Sequence, residues 1–288
     1  AANFIKQTKV PIVVKADGLA AGKGVSICQS KEEALKNTKE ILKGKFKSSN
    51  KVVLEEFLKG EELSFFTIVD KNSYLFFGSA QDHKRVGEGD VGPNTGGMGA
   101  YSPAPLLTDK LEEKIKKKII EPTLKTMKDL GHPYMGFLYA GLMISRGEPY
   151  LIEYNIRMGD PECQVLMMRL ETDLLEIIDF ATRNKIKDLK IKWTKKSSIT
   201  IVLCAKGYPY NYIRNSEIKN LSNILTDKNN QVFHAGTYEQ NNKTYSSGGR
   251  VLNVTSLSES LTEARNKSLG IINKINWGDG FCRKDIGW

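Results

Sequence analysis

The chain reads as short apolar strands broken by glycine-rich turns, with helical periodicity in a few places only. Residues 10–15 are apolar and end in Lys15, 18–24 are glycine-rich and 25–28 are apolar again, a pattern that predicts a hairpin with a glycine-rich tip. Residues 31–42 place Ala34, Leu35, Ile41 and Leu42 on or near one stripe, which predicts a helix. Strands are predicted at 52–57, 63–70 and 73–77, the last two joined by Lys71-Asn72. Thr108 is placed to cap a helix running towards Leu130, with Leu111, Ile115 and Ile119 on one face and a kink or restart at Pro122. Strands are expected at 136–144 and 149–154, across the Arg146-Gly147 turn. Asp160 is then expected to cap a helix with Pro161 in its first position and Leu166, Leu170 and Leu174 on its buried stripe. A lysine-rich stretch at 185–196 reads as a domain boundary, followed by strands at 198–205, 232–235 and 250–254 and a helix at 258–275. The mixture places the fold in the α+β or α/β class.

Residues 82–105 fit neither period. Six glycines and three prolines interrupt them, alongside Asp82, Lys84, Arg85 and Asp90. So long a structureless stretch in a compact domain is expected to bind something. Glycines let backbone N–H groups approach a ligand, and Lys84 and Arg85 favour an anion, so the expected ligand group is carboxylate or phosphate.

Composition narrows the class. Hydrophobic residues make up 40% and charged residues 26%, ordinary for a soluble globular protein. No apolar run has the length of a membrane span, so no membrane is expected as a partner. The four cysteines lie far apart with no Cys-x-x-Cys pair, which favours small buried residues in a reducing, cytoplasmic setting over a disulfide or zinc framework. The net charge of +10 is spread along the chain with no basic stretch interleaved with aromatics, so nucleic acid is not the expected partner.

Three constellations carry candidate chemistry. Gly87-Glu88-Gly89-Asp90-Val91-Gly92 matches the dinucleotide fingerprint in letters only, because Pro93-Asn94-Thr95 follows where a helix should open. The 18–24 turn misses the P-loop spacing and has Gly24 where a magnesium-binding hydroxyl belongs; it is either a plain turn or a flexible cover for phosphates. Glu153 and Asn155 are separated by Tyr154, so at strand spacing both face one way. They are either a solvated strand end or a pair of hard oxygen ligands for magnesium, with Arg157 expected on the same face for phosphoryl chemistry. Glu55, Glu56, Phe57 and Leu58, followed by Glu61 and Glu62, suit the rim of a nucleotide crevice, where backbone groups would meet an adenine and an acid the ribose.

Taken in order, Lys15-Ala16-Asp17-Gly18-Leu19-Ala20-Ala21-Gly22-Lys23-Gly24-Val25, Gln81-Asp82-His83-Lys84-Arg85, Gly92-Pro93-Asn94-Thr95-Gly96-Gly97-Met98-Gly99-Ala100-Tyr101-Ser102-Pro103 and Gly159-Asp160-Pro161-Glu162 resemble the phosphoribosylamine–glycine ligases, ATP-grasp enzymes of purine synthesis. Ser247-Gly248-Gly249-Arg250-Val251-Leu252 and Arg283-Lys284-Asp285-Ile286-Gly287 are similar to the C-terminal domain of the same family. The resemblance implies a partial ATP-grasp fold followed by a small β-rich α+β domain, with segments 1–62, 63–192 and 193–288. It implies that ATP phosphorylates glycine and that 5-phosphoribosylamine attacks the glycyl phosphate, with Mg2+ or Mn2+ as cofactor. On that resemblance Lys15, Gly22, Lys23, Gly24, Glu55, Glu56, Phe57, Leu58, Glu62 and Lys84 bind ATP, and Glu153 and Asn155 hold the metal. Asp82, Asn94, Thr95, Gly96, Gly97 and Arg157 hold glycine or its acyl phosphate, Gly249 and Arg250 contact the phosphoribosyl substrate, and Asp82, Lys84 and Arg157 are the catalytic candidates. Family members begin with a further domain, so that domain is expected as a covalent or associated partner, and residues 1–288 alone are expected to be inactive. The alternatives are an ATP-grasp ligase using another amine and a nucleotide-binding module without catalysis.

Overall fold

The structure is a computed structural model in which residues 1–18, 20, 24–47 and 49–287 are described. The expected ATP-site residues Gly22 and Lys23 lie outside these. The chain divides into two compact units, Ala1–Lys59 and Gly60–Trp288.

In the first unit, helix α1 (Ala2–Gln7) precedes strands β1 (Ile12–Ala16) and β2 (Val25–Cys28), helix α2 (Lys31–Glu40) and strand β3 (Val52–Glu56). The expected hairpin is present: β1 pairs antiparallel with β2, Lys15 opposite Val25, and with β3 on its other side. Ile5, Ile12, Val14, Cys28, Ala34 and Ile41 form its core. Ser30 caps α2, its side chain accepting from the Glu33 N–H.

The second unit is built on a nine-stranded sheet. Its strands are β4 (Glu61–Val69), β5 (Tyr74–Asp82), then, after the β6–β7 hairpin (Arg85–Gly87 and Val91–Asn94), β8 (Gly99–Ser102). Helices α3 (Asp109–Ile115) and α4 (Glu121–Asp129) follow, then β9 (Gly136–Ser145), β10 (Glu148–Asn155), α5 (Glu162–Arg169), α6 (Leu174–Thr182) and β11 (Ser197–Ala205). The last part adds β12 (Glu217–Ile218), β13 (Asn230–His234), β14 (Thr237–Gln240), β15 (Lys243–Ser246), β16 (Arg250–Ser258), α7 (Leu261–Ile272) and β17 (Gly280–Phe281). The order across the large sheet is β10-β9-β4-β5-β8-β11-β16-β13, with β17 also on β11 and β12-β15-β14 forming a small separate sheet. The segments expected at 63–192 and 193–288 therefore share one sheet, through the pairing of β8 with β11.

Several expectations change. The 82–105 stretch is not structureless: it holds the β6–β7 hairpin and a central strand, β8, with Met98, Ala100 and Tyr101 buried. Strands of three or four residues are too short to declare a period. Thr108 does cap α3, accepting from the Leu111 N–H at 3.3 Å. Lys116–Ile120 then widens into a π turn and α4 restarts with Pro122 in its first turn, the place where a missing N–H costs least. Asp160 does not cap α5. That helix begins at Glu162 with Pro161 before it, and the Asp160 carboxylate turns to Arg250. The expected single helix is two: α5 stops at Arg169, Leu170 is extended and bridges Trp193, and Leu174 opens α6. The last helix starts at Leu261, because Ser258 is still in β16. Cys28 and Cys204 are buried, while Cys163 and Cys282 are half-buried. No helix among the described residues is long and apolar enough to cross a membrane.

Candidate active site

In the first unit, Lys15 and Glu55 lie diagonally across β1 and β3 on one face and form an ion pair at 2.5 Å. β3 is an edge strand of its sheet. Beyond it Glu56 and Phe57 are exposed and Leu58 is half-buried. Gly24 is tightly framed: its C=O accepts from the Ala16 N–H at 2.8 Å, and a Cβ there would lie 2.6 Å from that of Ala20.

In the second unit the sheet brings several predicted residues together. Lys84 follows β5 and its Nζ lies 2.6 Å from Glu62 Oε2, at the start of β4. Burial alone would lower the pKa of this ammonium, but the charges of Glu62, Asp82 and Glu153 hold it above the ordinary lysine range. Asp82, the last residue of β5, goes the other way. Burial and the nearby Glu162 push its carboxyl well above the usual range, against the pull of Lys84 and Arg250. Its Oδ1 is shut away from solvent with no hydrogen-bond partner.

Glu162 and its supports were missed at the sequence level. It is buried, and its Oε1 accepts from Ser64 Oγ at 3.0 Å, while that hydroxyl lies 2.9 Å from Tyr139 Oη. Burial, then Glu162, raise the Tyr139 phenol well above 10.0. The Gly159-Asp160-Pro161-Glu162 motif contained the one available signal, a carboxylate beside a glycine; a Cβ at Gly159 would lie 2.5 Å from Glu162 Oε2.

At the end of β10, Glu153 and Asn155 point to one side as expected, the Asn155 Nδ2 facing Glu153 Oε1 at 3.4 Å. Arg157 lies beyond β10, where strand alternation no longer sets its direction; it is exposed and donates to the Met158 carbonyl at 2.8 Å.

The glycine-rich loop behaves differently from expectation. Its N–H groups do not form a cradle for an anion, because four in succession are already engaged. Thr95 N–H donates to Lys84 C=O at 2.7 Å, Gly96 N–H to Tyr208 Oη at 3.0 Å, Gly97 N–H to Thr95 Oγ1 at 3.0 Å and Met98 N–H to His83 C=O at 2.8 Å. The glycines instead permit close packing. A Cβ on Gly96 would lie 3.0 Å from the Arg250 guanidinium, and one on Gly97 would lie 2.5 Å from Pro161 and 2.7 Å from Asp82 Oδ1. Asn94 ends β7 exposed, opposite Arg85. Gly249 is buried where a Cβ would lie 2.3 Å from the Tyr208 ring.

The comparisons place the chain in a family. The sequence model described as "Phosphoribosylglycinamide synthetase, ATP-grasp (A) domain" matches residues 1–163, and that described as "Phosphoribosylglycinamide synthetase, C domain" matches 198–288. A phosphoribosylamine–glycine ligase from Mesorhizobium japonicum is 48% identical over 286 residues, covering 99% of this chain and 67% of that relative. The crystal structure of phosphoribosylamine–glycine ligase from Thermotoga maritima superposes with a TM-score of 0.86 at 34% identity, over 99% of this chain and 71% of that one. The biotin carboxylase domain of the Hydrogenobacter thermophilus 2-oxoglutarate carboxylase, solved with MgADP, shares the fold at a TM-score of 0.71 and 17% identity, over 97% of this chain and 60% of that one. With both family segments matched in order along the chain, this protein belongs to the phosphoribosylglycinamide synthetase family and has its ATP-grasp fold.

Proposed function

We propose that the chain carries the ATP-dependent carbon–nitrogen ligase chemistry named in its relatives: glycine is joined to 5-phosphoribosylamine through a glycyl phosphate, with release of ADP and phosphate, in purine biosynthesis in the cytoplasm. The observation that carries the reading in the second unit is the ion pair of Lys84 Nζ with Glu62 Oε2 at 2.6 Å at the end of β5, where Asp82 stands two residues away. Transfer of a phosphoryl group to a carboxylate requires two anions to meet, so fixed positive charge and fixed geometry supply most of the catalysis. Lys84 is such a charge, held protonated by its acidic neighbours.

Glu153 and Asn155 fit a magnesium or manganese ion. They offer one carboxylate and, with the Asn155 amide turned so that its oxygen replaces the Nδ2 now facing Glu153, one amide oxygen on a common face. Such an ion keeps positions for nucleotide phosphates and, when bound, neutralises their charge. For the nucleotide we assign Lys15, Gly22, Lys23, Gly24 and the Glu55, Glu56, Phe57, Leu58 edge in the first unit, and Glu62 and Lys84 in the second. Asp82 presents a buried, unpaired oxygen beside Gly97, which suits the ammonium end of glycine. The acyl phosphate end we assign to Arg157. Asn94, Thr95 and Gly96 complete that wall, and Gly249 and Arg250 border the phosphoribosylamine side. The amine attacks the acyl carbon, the bond from that carbon to the phosphate oxygen breaks, and the departing phosphate takes the amine's proton. A further domain, covalent or associated, is part of the same proposal for the complete substrate site.

Positional isotope exchange in ATP tests the first half-reaction. Scrambling of the βγ-bridging oxygen that requires glycine but not the amine is the expected result; scrambling that ignores glycine overturns it.

A further inference from the structure

Gly96 is gripped on both of its backbone groups by residues far ahead in the chain. Its N–H donates to Tyr208 Oη at 3.0 Å, and its C=O accepts from Arg250 Nη1 at 2.7 Å. The same Nη1 donates to the Asp160 carbonyl at 2.7 Å, and Nη2 to Asp160 Oδ2 at 2.7 Å. One planar guanidinium therefore joins the glycine-rich loop to the turn that precedes Glu162, while standing at the first residue of β16. The arrangement is built for closeness. Gly96 has no Cβ where the guanidinium lies at 3.0 Å, and Gly249 has none where the Tyr208 ring would meet it at 2.3 Å. Both joined segments wall Asp82, since Gly97 and Pro161 lie against one another next to its Oδ1.

We propose that Arg250, with Tyr208, is a positioning residue: the pair sets the separation between the 95–97 loop and the Asp160–Glu162 turn, and thereby the shape of the recess around Asp82. This rests on the ligase reading for its catalytic consequence and refines the contact expected between Arg250 and the phosphoribosyl substrate. The hydrogen-bonding fork of arginine is what allows two carbonyls and a carboxylate to be held together; the point charge of lysine cannot span them. Displacing reacting groups by an ångström costs on the order of 100-fold in rate.

The test uses R250Q, R250K, Y208F, D160N and the R250Q/D160N double variant in the full-length protein. Without any substrate, amide hydrogen exchange at residues 96–98 is expected to speed up about tenfold or more in every variant, because the loop opens locally. In turnover, kcat is expected to fall roughly 10- to 100-fold while KM for phosphoribosylamine moves less than about threefold, with R250K recovering little and the double variant no worse than R250Q. Unchanged exchange, a silent D160N, or an intact kcat with a raised KM for the amine each overturns the brace, the last making Arg250 a substrate contact. If R250Q fails to fold, Y208F and R250K decide by the same readings. The exchange result is independent of ligase activity, so it stands apart from failure of the functional reading.

Discussion

A Cβ on Gly97 would lie 2.7 Å from Asp82 Oδ1 and 2.5 Å from Pro161 Cδ, and Gly97 has a φ of +115°. Two constraints, backbone and space, therefore fall on one residue beside the unpaired carboxylate oxygen. Gly97→Ala is expected to cost about 2–4 kcal/mol and to abolish turnover, since both neighbours must move. Gly131→Ala is the control: φ is +80° there, nothing lies within 4 Å, and the expected cost is about 1–2 kcal/mol with activity retained. Denaturant midpoints of the two variants check this; equal losses would remove the packing argument.

Glu153→Ala is expected to lower turnover by at least about 100-fold, as loss of a group acting at the phosphoryl centre does. Because Glu153 is exposed, stability should change by less than about 0.5 kcal/mol. Turnover against magnesium concentration is the readout, and an unchanged rate at limiting magnesium contradicts the assignment.

Ser64→Ala removes a hydroxyl shared by Tyr139 and Glu162 in a buried chain. Two polar groups then lose a partner where water does not reach, at an expected cost of about 1–3 kcal/mol. Thermal unfolding reads this directly, and a neutral substitution would mean that the chain of hydroxyls is dispensable.

Arg283 is buried and fastens the β6–β7 hairpin, donating to Asp90 Oδ1 at 2.6 Å and Arg85 C=O at 3.0 Å, and to both Asp285 oxygens at 2.8 and 2.7 Å. Burial alone would raise the Asp90 and Asp285 carboxyls, but the hydrogen bonds and charge of Arg283, joined by His83 at Asp90 and by the Gly89 N–H at Asp285, together outweigh it and hold both below 3.8. A lowered folded-state pKa contributes stability that is present above 3.8 and lost as pH falls through the folded value. His83, 3.3 Å from Asp90, is pushed below 6.5 by burial, so it too contributes stability above 6.5 that is lost on acidification. The raised Asp82 carboxyl acts the opposite way, gaining stability on acidification, so the Asp90 contribution is read as a difference: the denaturant midpoint of the unsubstituted protein should fall more steeply below pH 4 than that of Asp90→Asn, whose acid limb is flatter. A midpoint independent of pH in both proteins contradicts this.

Much of the scaffold was legible because its strands are long or its turns carry glycine: the β1–β2 hairpin, β9 with β10, and the Thr108 cap all stood in the residue pattern. Glu153 and Asn155 were legible for the same reason, since alternation fixes their common face. Residues 82–105 were misread because strands of three and four residues have no period, and because glycines that serve close packing look the same in sequence as glycines that cradle an anion. Asp160 was misread because an Asp-Pro pair before a helix suits capping locally, whereas its partner, Arg250, lies 90 positions away. Glu162, Ser64 and Tyr139 stand on three separate elements, and only folding brings them together.

The most direct test of the central claim, that the recess around Lys84 and Asp82 activates glycine, is product formation by the full-length protein supplied with ATP, magnesium, glycine and phosphoribosylamine. The expected result is ADP and glycinamide ribonucleotide in equal amounts, with both lost when glycine is withheld and in Lys84→Met. ADP release that continues unchanged without glycine, or survives Lys84→Met, contradicts the account.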